Sequence, residues 1–538
     1  MMFQFIEHAV FTLVLAVLIS VYYRKGPRYF LKIIVLAVKE LPGVQTLIDN
    51  VLKKEVTSFV KSSTLAQDVV ASKPRIVLPK SAFSSDDLRV QMGNLLKREC
   101  NTQEDGNVFA YTYTMKDEHF KLQEDAFDMF EEKTGHSAEH DKIVKEFFHA
   151  FMHENALNPM IFPALRLMET EVVSMTAAML NGDREVVGFL TSGGTESNLM
   201  AVKTFRDYGR AQRPYIRRPN IVTPISVHPT IDKAAHYFDM DVIHTPMDKD
   251  FKADVKAIEQ AINSDTVLIV ASAPQFCHSV MDPIKEIGAL ALRKGIPLHV
   301  DACFGGFMLP WVEKLGYKIP KFDFRVPGVT SMSADVHKYG YSVKGASVIL
   351  YRNADIRKHQ IYAYAEWPGG LYGSPSMAGT RPGGNIASAW AAMKALGESG
   401  YMAKAREIMD ITDKLKARIT SIKGLCLMGE PCMSAFAIGS SDSNLNIQAV
   451  ADVMETKGWK MERCQTPDCL HCSILPHHTG KADKFLDDLE ASTKHCMDNK
   501  ALAKKGTAGV YGMMANIPDK GIVTDFLIEF FSEVYTCK

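Results

Sequence analysis

The feature of this sequence that most limits its fold is an alternation of strand-like and helix-like stretches beginning near residue 165. Short runs rich in β-branched and aromatic residues alternate with stretches of helical periodicity such as DVKAIEQAI and PIKEIGALALRKG. The strand-like runs are VVGFLTS ending at Ser192, NIVTPISV ending at Val227, TVLIVAS ending at Ser272, IPLHV ending at Val300 and ASVILY ending at Tyr351. This alternation predicts an α/β fold, with a mainly parallel sheet covered by helices on both faces.

A second, smaller lobe is predicted after this sheet. A long helix is expected over residues 386–397, and later stretches such as AREIMDITDKLKARI and MSAFAIGS mix helical and strand-like patterns. We therefore predict a large domain over residues 166–395 and a small α+β carboxyl-terminal domain over residues 396–538. A chain of 538 residues is long enough to build both cores.

The amino terminus departs from globular composition. Residues 9–23 (AVFTLVLAVLISVYY) carry no charge, and Arg24 and Lys25 follow at once. Positive charge after the apolar run, without a small-residue cleavage site, favours a signal anchor over a cleaved signal peptide. We predict a membrane anchor over residues 1–24, with the rest of the chain in the cytosol because of the positive-inside rule.

Two segments lie between the predicted anchor and the predicted sheet. Residues 25–105 are interpreted as an amphipathic stalk and linker. Within them, residues 29–54 alternate apolar and basic positions, a pattern that fits either an interfacial helix or an ordinary helix packed on the domain. Residues 106–165 are interpreted as an amino-terminal segment that contributes to the active site.

Charge and cysteine content narrow the classes of partner. Lys and Arg together number 62, as do Asp and Glu, so no global basic field points to nucleic acid. The 10 cysteines are irregularly spaced in a long chain, which favours a reducing compartment over a disulfide framework. Cys464, Cys469 and Cys472 lie near histidines, but no second cysteine pair completes a common zinc pattern, so we predict packing and no metal.

A glycine turn at the end of the first predicted strand suits a phosphate group. The stretch TSGGTESN follows the strand and opens a helix. Gly193 and Gly194 permit close backbone approach, Thr195 adds a hydroxyl, and the amide groups of a helix start favour an anion. Taken alone, such a turn is a weak signal, because structural turns of this kind are common.

Three further residues follow separate predicted strands. His228 is placed to stack on an aromatic ring, Asp301 ends an apolar strand where a carboxylate needs a partner, and Lys338 is placed to form an imine with an aldehyde. Singly, each has an ordinary alternative: a turn histidine, a helix-capping aspartate and a surface lysine. In parallel α/β sheets ligands bind beyond the carboxyl ends of the strands, so the ordered set predicts a site for pyridoxal 5'-phosphate.

Long stretches of the chain, from about residue 155 to residue 511, resemble the sphingosine-1-phosphate lyases. The similar stretches are TSGGTESNLMA, SAPQFCHSVMDPI, IPLHVDACFGGF, FDFRVPGVTSMSADVHKYGY, AGTRPGG and VYGM. That family belongs to the fold-type I pyridoxal-phosphate enzymes, with group II decarboxylases as relatives. The resemblance implies the same fold for the large domain.

The resemblance also implies roles for the cofactor-side residues. Lys338 matches the Schiff-base lysine, Asp301 the residue paired with the ring nitrogen, and His228 the residue stacked on the ring. Gly194, Thr195 and His337 match groups near the cofactor phosphate.

Other matches concern a second subunit and the substrate. Gly379 and Thr380 match a loop that reaches the cofactor phosphate of the neighbouring subunit, which implies a homodimer with shared active sites; the family has serine at position 380. Lys344 and Tyr511 match residues around the substrate phosphate and the reacting hydroxyl.

The sequence departs from the family on the substrate side. Asn158 stands where the family has a histidine, and asparagine cannot shuttle a proton near neutral pH. The family also has an active-site tyrosine in a GAVY segment, and its equivalent within GNVFAYTYT is Phe109, Tyr111 or Tyr113.

The implied activity is retro-aldol cleavage of a phosphorylated sphingoid base to a long-chain aldehyde and phosphoethanolamine. A lipid substrate agrees with the predicted anchor, and the family layout implies the endoplasmic-reticulum membrane with a cytosolic catalytic domain. Two alternatives remain: an amino-acid decarboxylase on the same fold, and a paralogue that binds the cofactor with little activity.

Overall fold

The structure is a computed structural model that describes residues 75–97, 139–509 and 520–536, with single positions between 27 and 54. The chain divides into two compact units, residues 1–74 and 75–538. The predicted anchor run, residues 9–23, lies outside the described residues. Among the helices that are described, none has both the length and the apolar character needed to cross a membrane.

The second unit holds two lobes built from strands and helices in alternation. The strands are β1 Val187–Thr191, β2 Asn220–Pro224, β3 Asp241–Thr245, β4 Thr266–Ser272, β5 Leu298–Asp301, β6 Val329–Ala334, β7 Ser347–Tyr351, β8 Tyr362–Tyr364, β9 Tyr372–Ser374, β10 Leu425–Leu427, β11 Ala435–Ser440, β12 Glu462–Cys464 and β13 Cys469–Ser473. The α-helices are α1 Ser85–Leu96, α2 Glu139–Ala150, α3 Pro163–Met179, α4 Gly194–Gln212, α5 Thr230–Tyr237, α6 Val255–Ala261, α7 Ile284–Lys294, α8 Leu309–Lys314, α9 Ala354–Arg357, α10 Gly383–Ile419, α11 Ile447–Thr456, α12 Ala482–Asp498 and α13 Lys520–Val534. Two 3₁₀ helices span Pro476–His478 and Lys500–Lys504.

The large lobe contains a seven-stranded, mostly parallel sheet in the order β1-β7-β6-β5-β4-β2-β3. Strand β7 runs antiparallel to both β1 and β6, whereas the other neighbours are parallel. Every residue of β4 and β5 is buried, as expected for central strands covered on both faces by helices. The α/β architecture predicted from the alternating pattern is therefore confirmed, and β4 has the predicted carboxyl end.

The predicted second strand is shorter in the structure than in the sequence analysis. Strand β2 ends at Pro224 instead of Val227, because the chain turns there and the N–H of Val227 donates to the carbonyl of Pro224. Pro229 then lies at the amino-terminal cap of α5. This turn leaves His228 exposed at the carboxyl end of the sheet.

A long helix joins the two lobes. Helix α10 was expected over residues 386–397, but it starts at Gly383 and continues to Ile419 through a break at Gly397. Gly397 has φ +57°, and a Cβ there would lie 2.8 Å from the backbone of Ser81. The expected helix end is thus a kink that only glycine accommodates easily.

The small lobe is the α+β unit that the sequence predicts. Its antiparallel sheet has the order β10-β11-β13-β12. Helices α11 and α10 pack on this sheet, α12 packs against both of these helices, and the buried residues of all three join the main hydrophobic core.

Candidate active site

The glycine turn after β1 is shaped by close contact with the strand-end loops behind it. Helix α4 begins at Gly194, where a Cβ would lie 2.8 Å from both carboxylate oxygens of Asp335 and from the Sγ of Cys303. Thr195 is exposed one residue later. Only glycine fits at position 194, and it brings the amino terminus of α4 against the residues that follow β5 and β6.

Asp301 is a buried carboxylate held by three donors. The amide of Asn198 donates to Oδ2 at 2.9 Å, while the backbone N–H of Cys303 and the hydroxyl of Ser333 donate to Oδ1 at 3.0 and 3.1 Å. Burial acts to raise the pKa of Asp301, but His299 and these donors outweigh burial, so the pKa lies below its ordinary value. Asp301 is therefore an anion at neutral pH, at the carboxyl end of β5.

His299 orients the amide that contacts Asp301. Burial lowers the pKa of His299 to about 4, so its ring is neutral near pH 7. Its Nε2 lies 3.1 Å from the carbonyl oxygen of Asn198, and its Nδ1 lies 2.8 Å from the hydroxyl of Ser331. The Nε2 proton thus bonds to the Asn198 oxygen, which directs the Asn198 NH₂ group toward Asp301.

His228 is connected to the same network. The Asn198 amide also donates to the hydroxyl of Thr230 at 3.0 Å, and this hydroxyl lies 3.1 Å from Nδ1 of His228. The backbone N–H of Thr230 donates to that same Nδ1, so the ring accepts there and carries its proton on Nε2. His228 and Asp301 therefore share one chain of hydrogen bonds.

Lys338 forms an ion pair that sequence reasoning missed. Its Nζ lies 2.9 Å from Oδ2 of Asp335 and 5.8 Å from the centre of the Phe304 ring. The Lys338 side chain is 40% exposed, whereas that of Asp335 is 2% exposed. Burial lowers the pKa of Lys338, but the Asp335 carboxylate, together with Cys303 and Asp301, raises it by more in total, so the net pKa is raised.

His337 and Lys344 lie beside this ion pair. The N–H of Ala346 donates to Nδ1 of His337 at 3.2 Å, and Nε2 lies 3.5 Å from Asp335 Oδ2. Burial lowers the pKa of His337, so the ring is neutral with its proton on Nε2. The exposed Lys344 donates from Nζ to the carbonyl of His337 at 3.0 Å.

The loop of Gly379 and Thr380 lies against the glycine turn of its own chain. The N–H of Met377 donates to Oε1 of Glu196 at 2.9 Å, and the Asn155 amide donates to the Thr380 hydroxyl at 3.4 Å. A cavity of about 50 Å³ is lined by both segments. Both loop residues are exposed, and their reach into a neighbouring subunit stays a prediction.

Of the substrate-side residues that the resemblance singles out, Asn158 is described by the structure and several others are not. Asn158 is half-buried in a turn, where its carbonyl accepts the N–H groups of Ile161 and Phe162. Tyr511 and the three candidates for the family tyrosine, Phe109, Tyr111 and Tyr113, lie outside the described residues.

Four site residues were not singled out from the sequence: Asn198, His299, Ser333 and Asp335. A signal for two of them was available. His299 and Asp301 alternate on β5, Ser331 and Ser333 alternate on β6, and the register pairs His299 with Ser331 and Asp301 with Ser333. Polar residues at alternate positions of apolar strands indicate such a pair of facing rows.

The cysteine cluster shows no metal geometry. Within residues 75–97, 139–509 and 520–536, no three His, Cys, Asp or Glu side chains are arranged to hold a metal ion. Cys464 and Cys469 are cross-strand partners in the small sheet and are buried.

The donor set suits pyridoxal phosphate. Asp301 is an ionised, buried carboxylate that would pair with a ring N–H, and Lys338 is a partly exposed amine at the next strand end. Oδ1 of Asp335 is buried without a hydrogen-bond partner and faces Gly194. Such an atom marks a position where polar partners arrive with a ligand.

Comparisons with known proteins agree with this chemistry. Residues 128–437 match the pyridoxal-dependent decarboxylase conserved domain. The chain is 41% identical to the sphingosine-1-phosphate lyase of Oryza sativa subsp. japonica over 92% of its own length and 87% of that protein. It is 43% identical to sphingosine-1-phosphate lyase 1 of Rattus norvegicus over 73% of its length and 69% of that protein.

Solved structures of other proteins share this fold. A sphingosine-1-phosphate lyase from Burkholderia pseudomallei superposes with a TM-score of 0.66 at 36% identity, over 78% of this chain and 99% of that one. A glutamate decarboxylase from Lactobacillus brevis superposes with a TM-score of 0.59 at 20% identity, over 80% of this chain and 96% of that one. The latter likeness shows the fold alone.

Proposed function

Because this chain belongs to the pyridoxal-dependent decarboxylase family, and within it to the sphingosine-1-phosphate lyases, we propose that it is a pyridoxal-phosphate-dependent lyase of phosphorylated sphingoid bases. The products are a long-chain aldehyde and phosphoethanolamine. One observation carries the proposal: an anionic Asp301 and an amine, Lys338, lie at the carboxyl ends of the neighbouring strands β5 and β6, in a chain similar to these lyases over most of its length.

The residues that would hold the cofactor follow from the site. Lys338 would attach it covalently, Asp301 would hold a proton on its ring nitrogen, and His228 would lie against its ring. Gly194 and Thr195 would contact the phosphate together with His337, whose neutral ring offers the Nε2 proton. When bound, pyridoxal phosphate supplies an electron sink for cleavage of a carbon–carbon bond.

The protein's own groups have two tasks around that chemistry. Asp335 Oδ2 is 2.9 Å from Nζ of Lys338 and holds the lysine in place as an ammonium when it is not attached to the cofactor. Asn198, Ser333 and the Cys303 amide keep Asp301 ionised, so that it stabilises positive charge on its partner.

We assign Lys344 and Tyr511 to contacts with the substrate. The exposed ammonium of Lys344, beside His337, suits the substrate phosphate, and its contribution should fall with added salt. Tyr511 is assigned to the reacting hydroxyl on the resemblance alone. Since Asn158 cannot move a proton near neutral pH, another group must do so.

The proposal extends to a homodimer with shared sites. The segment before Gly379 exposes large apolar side chains, and Leu371 is 88% exposed. The others are Ile361, Tyr362, Tyr364, Trp367 and Met377. A patch of this kind is typical of a surface that another chain covers, and a second copy would bring Gly379 and Thr380 to the partner's cofactor phosphate.

The membrane and domain assignments are part of the same proposal. The uncharged run at residues 9–23, with Arg24 and Lys25 behind it, supports an anchor in the endoplasmic-reticulum membrane and a catalytic part in the cytosol. The segment boundaries at residues 24, 105, 165 and 395 belong to this proposal as well.

A product assay tests the proposed activity. Purified full-length protein loaded with pyridoxal phosphate is given sphingosine 1-phosphate, and aldehyde and phosphoethanolamine are quantified. The proposal predicts equal amounts of both. Cofactor absorbance without aldehyde would instead identify a paralogue with little activity, and carbon dioxide released from an amino acid would identify a decarboxylase.

A further inference from the structure

A cavity of about 450 Å³ in the small lobe is not used by the site described above. It lies between the small sheet, helix α12 and the second half of α10. Its apolar wall consists of Leu415, Phe436, Trp459, Met461, Ile474 and Phe485. Its volume lies in the range of small-molecule sites, which are roughly 300–1,000 Å³.

Charged groups occur only on the exposed part of this lining. Lys460, Glu462 and Lys481 are exposed, whereas Leu415, Phe436 and Ile474 are buried. His471 also lines the cavity, and burial lowers its pKa to about 4, so it adds no charge at neutral pH. The cavity therefore has an apolar interior and a polar mouth, which suits an uncharged hydrocarbon chain.

An aromatic row connects the cavity to Lys338. Nζ of Lys338 lies 5.8 Å from the centre of the Phe304 ring, and Phe304 contacts Phe276 at 6.2 Å and His471 at 5.8 Å between ring centres. Phe276 and His471 stack at 4.3 Å, and both line the cavity.

A hydrogen bond makes a second connection. Tyr339, the residue after Lys338, donates its hydroxyl to the carbonyl of Ile474 in the cavity wall at 3.2 Å. The Phe304 ring therefore lies between the cavity lining and Nζ of Lys338.

We propose that this cavity binds the alkyl chain of the sphingoid-base substrate and holds the long-chain aldehyde after cleavage. The inference rests on the proposed lyase function, because the head group must react at Lys338 while the chain passes Phe304 and Phe276. Burial of each methylene contributes about 0.8 kcal/mol, so filling the cavity should raise kcat/KM roughly fourfold per methylene.

Chain-length dependence tests the assignment. Holoenzymes of the natural protein, Ala482→Phe and Ala491→Phe are compared on phosphorylated sphingoid bases of graded length, each kept below its aggregation concentration. Ala482 lines the cavity at the start of α12, whereas Ala491 is exposed on the same helix. Ala482→Phe should lose the rise for long chains and keep the kcat/KM of the natural protein on the shortest, and Ala491→Phe should match the natural protein. An unchanged chain-length dependence in Ala482→Phe would overturn the proposal.

A binding measurement covers the case in which Ala482→Phe does not fold or no substrate is cleaved. Trp459 lines the cavity, so titration of the cofactor-free full chain with a long-chain aldehyde should change its fluorescence. The change should vanish in Trp459→Phe and weaken in Met461→Trp, after correction for the added tryptophan. If substrates of every chain length stay uncleaved, only the proposed lyase function is contradicted. If Trp459→Phe keeps the full fluorescence response, the assignment of the cavity to the alkyl chain is contradicted.

Discussion

At the scale of single residues, the site depends on how neighbours set the charge of Asp301 and Lys338. Asp301 lies in the interior, where burial alone favours the protonated acid, but three donors hold it ionised. Lys338 is held as an ammonium by Asp335. These contacts are made by residues from three separate stretches of the chain, so the sequence pattern predicts Asp301 and Lys338 but not their partners.

Removing the charge of Asp301 tests whether this carboxylate acts in the reaction itself. Asp301→Asn preserves the shape of the side chain but cannot hold a proton on a cofactor ring, so we expect kcat to fall by roughly 100-fold or more. Ser333→Ala removes one donor to Oδ1, which is worth about 1 kcal/mol, and should cost at most roughly tenfold. Steady-state kinetics at saturating pyridoxal phosphate measures both. Equal losses in the two variants would contradict the assigned role.

The neutral state of His299 predicts a dependence of stability on pH. Its folded-state pKa of about 4 is below the ordinary value of 6.5, so the unfolded chain binds the extra proton between these pH values. The contribution to stability is present above about pH 6.5 and is lost as the pH falls toward 4. Urea unfolding of the natural protein and His299→Gln should show the natural protein losing more free energy of unfolding between pH 7 and pH 4.5. A parallel decline in both proteins would contradict the assignment.

At the scale of elements, the alternating pattern predicts the strands that carry the site. The observed carboxyl ends of these strands lie within a few residues of the predicted ones. The patterns do not predict where an element is interrupted by packing. Helix α10 passes its expected end because Gly397 turns the chain around the segment at Ser81, which is distant in sequence. Strand β2 ends early because a local turn at Pro224 satisfies its backbone.

Gly194 provides a test of the α4 junction. In Gly194→Ala, the new Cβ would meet the Asp335 carboxylate and Cys303 Sγ at 2.8 Å, so the helix start must shift. We expect weaker binding of pyridoxal phosphate and a lower melting temperature, by analogy with overpacked cores that lose about 1–3 kcal/mol.

Gly93→Ala is the matched control for that test. Gly93 lies inside helix α1 with open space around its Cβ position, so the change should stabilise the protein by about 0.5–1 kcal/mol. Cofactor titration and thermal unfolding of both variants measure the contrast. Unchanged cofactor affinity in Gly194→Ala would show that the close contact does not shape the site.

At the scale of the whole molecule, the chain belongs to a family of lyases. In the proposed dimer, a loop from the second copy would complete each active site. Because Met377 of this loop contacts Glu196 and Thr380 contacts Asn155 within the same chain, the loop could complete the site of its own chain or that of a second copy, and the two arrangements make different predictions. The sequence resemblance and the exposed apolar side chains before Gly379 both point to the interface.

Mixed dimers separate the two arrangements. Lys338→Ala removes the cofactor amine, and Thr380→Glu puts a negative charge beside a phosphate, so each variant alone should be inactive. If sites are shared, a one-to-one mixture formed by co-expression regains about one quarter of the natural activity, because half of the dimers are mixed and each has one intact site. If Thr380 acts within its own chain, the mixture stays inactive. Aldehyde release by the purified mixture decides between them.

If Lys338 holds the cofactor, reduction of the bound complex should attach the cofactor permanently to this lysine. The purified protein is incubated with pyridoxal phosphate, reduced with borohydride, digested and analysed by mass spectrometry. We expect a stable phosphopyridoxyl adduct on the peptide that contains Lys338, and no adduct there in Lys338→Ala. An adduct on a different lysine, or a cofactor-bound protein without any covalent adduct, would contradict this role of Lys338.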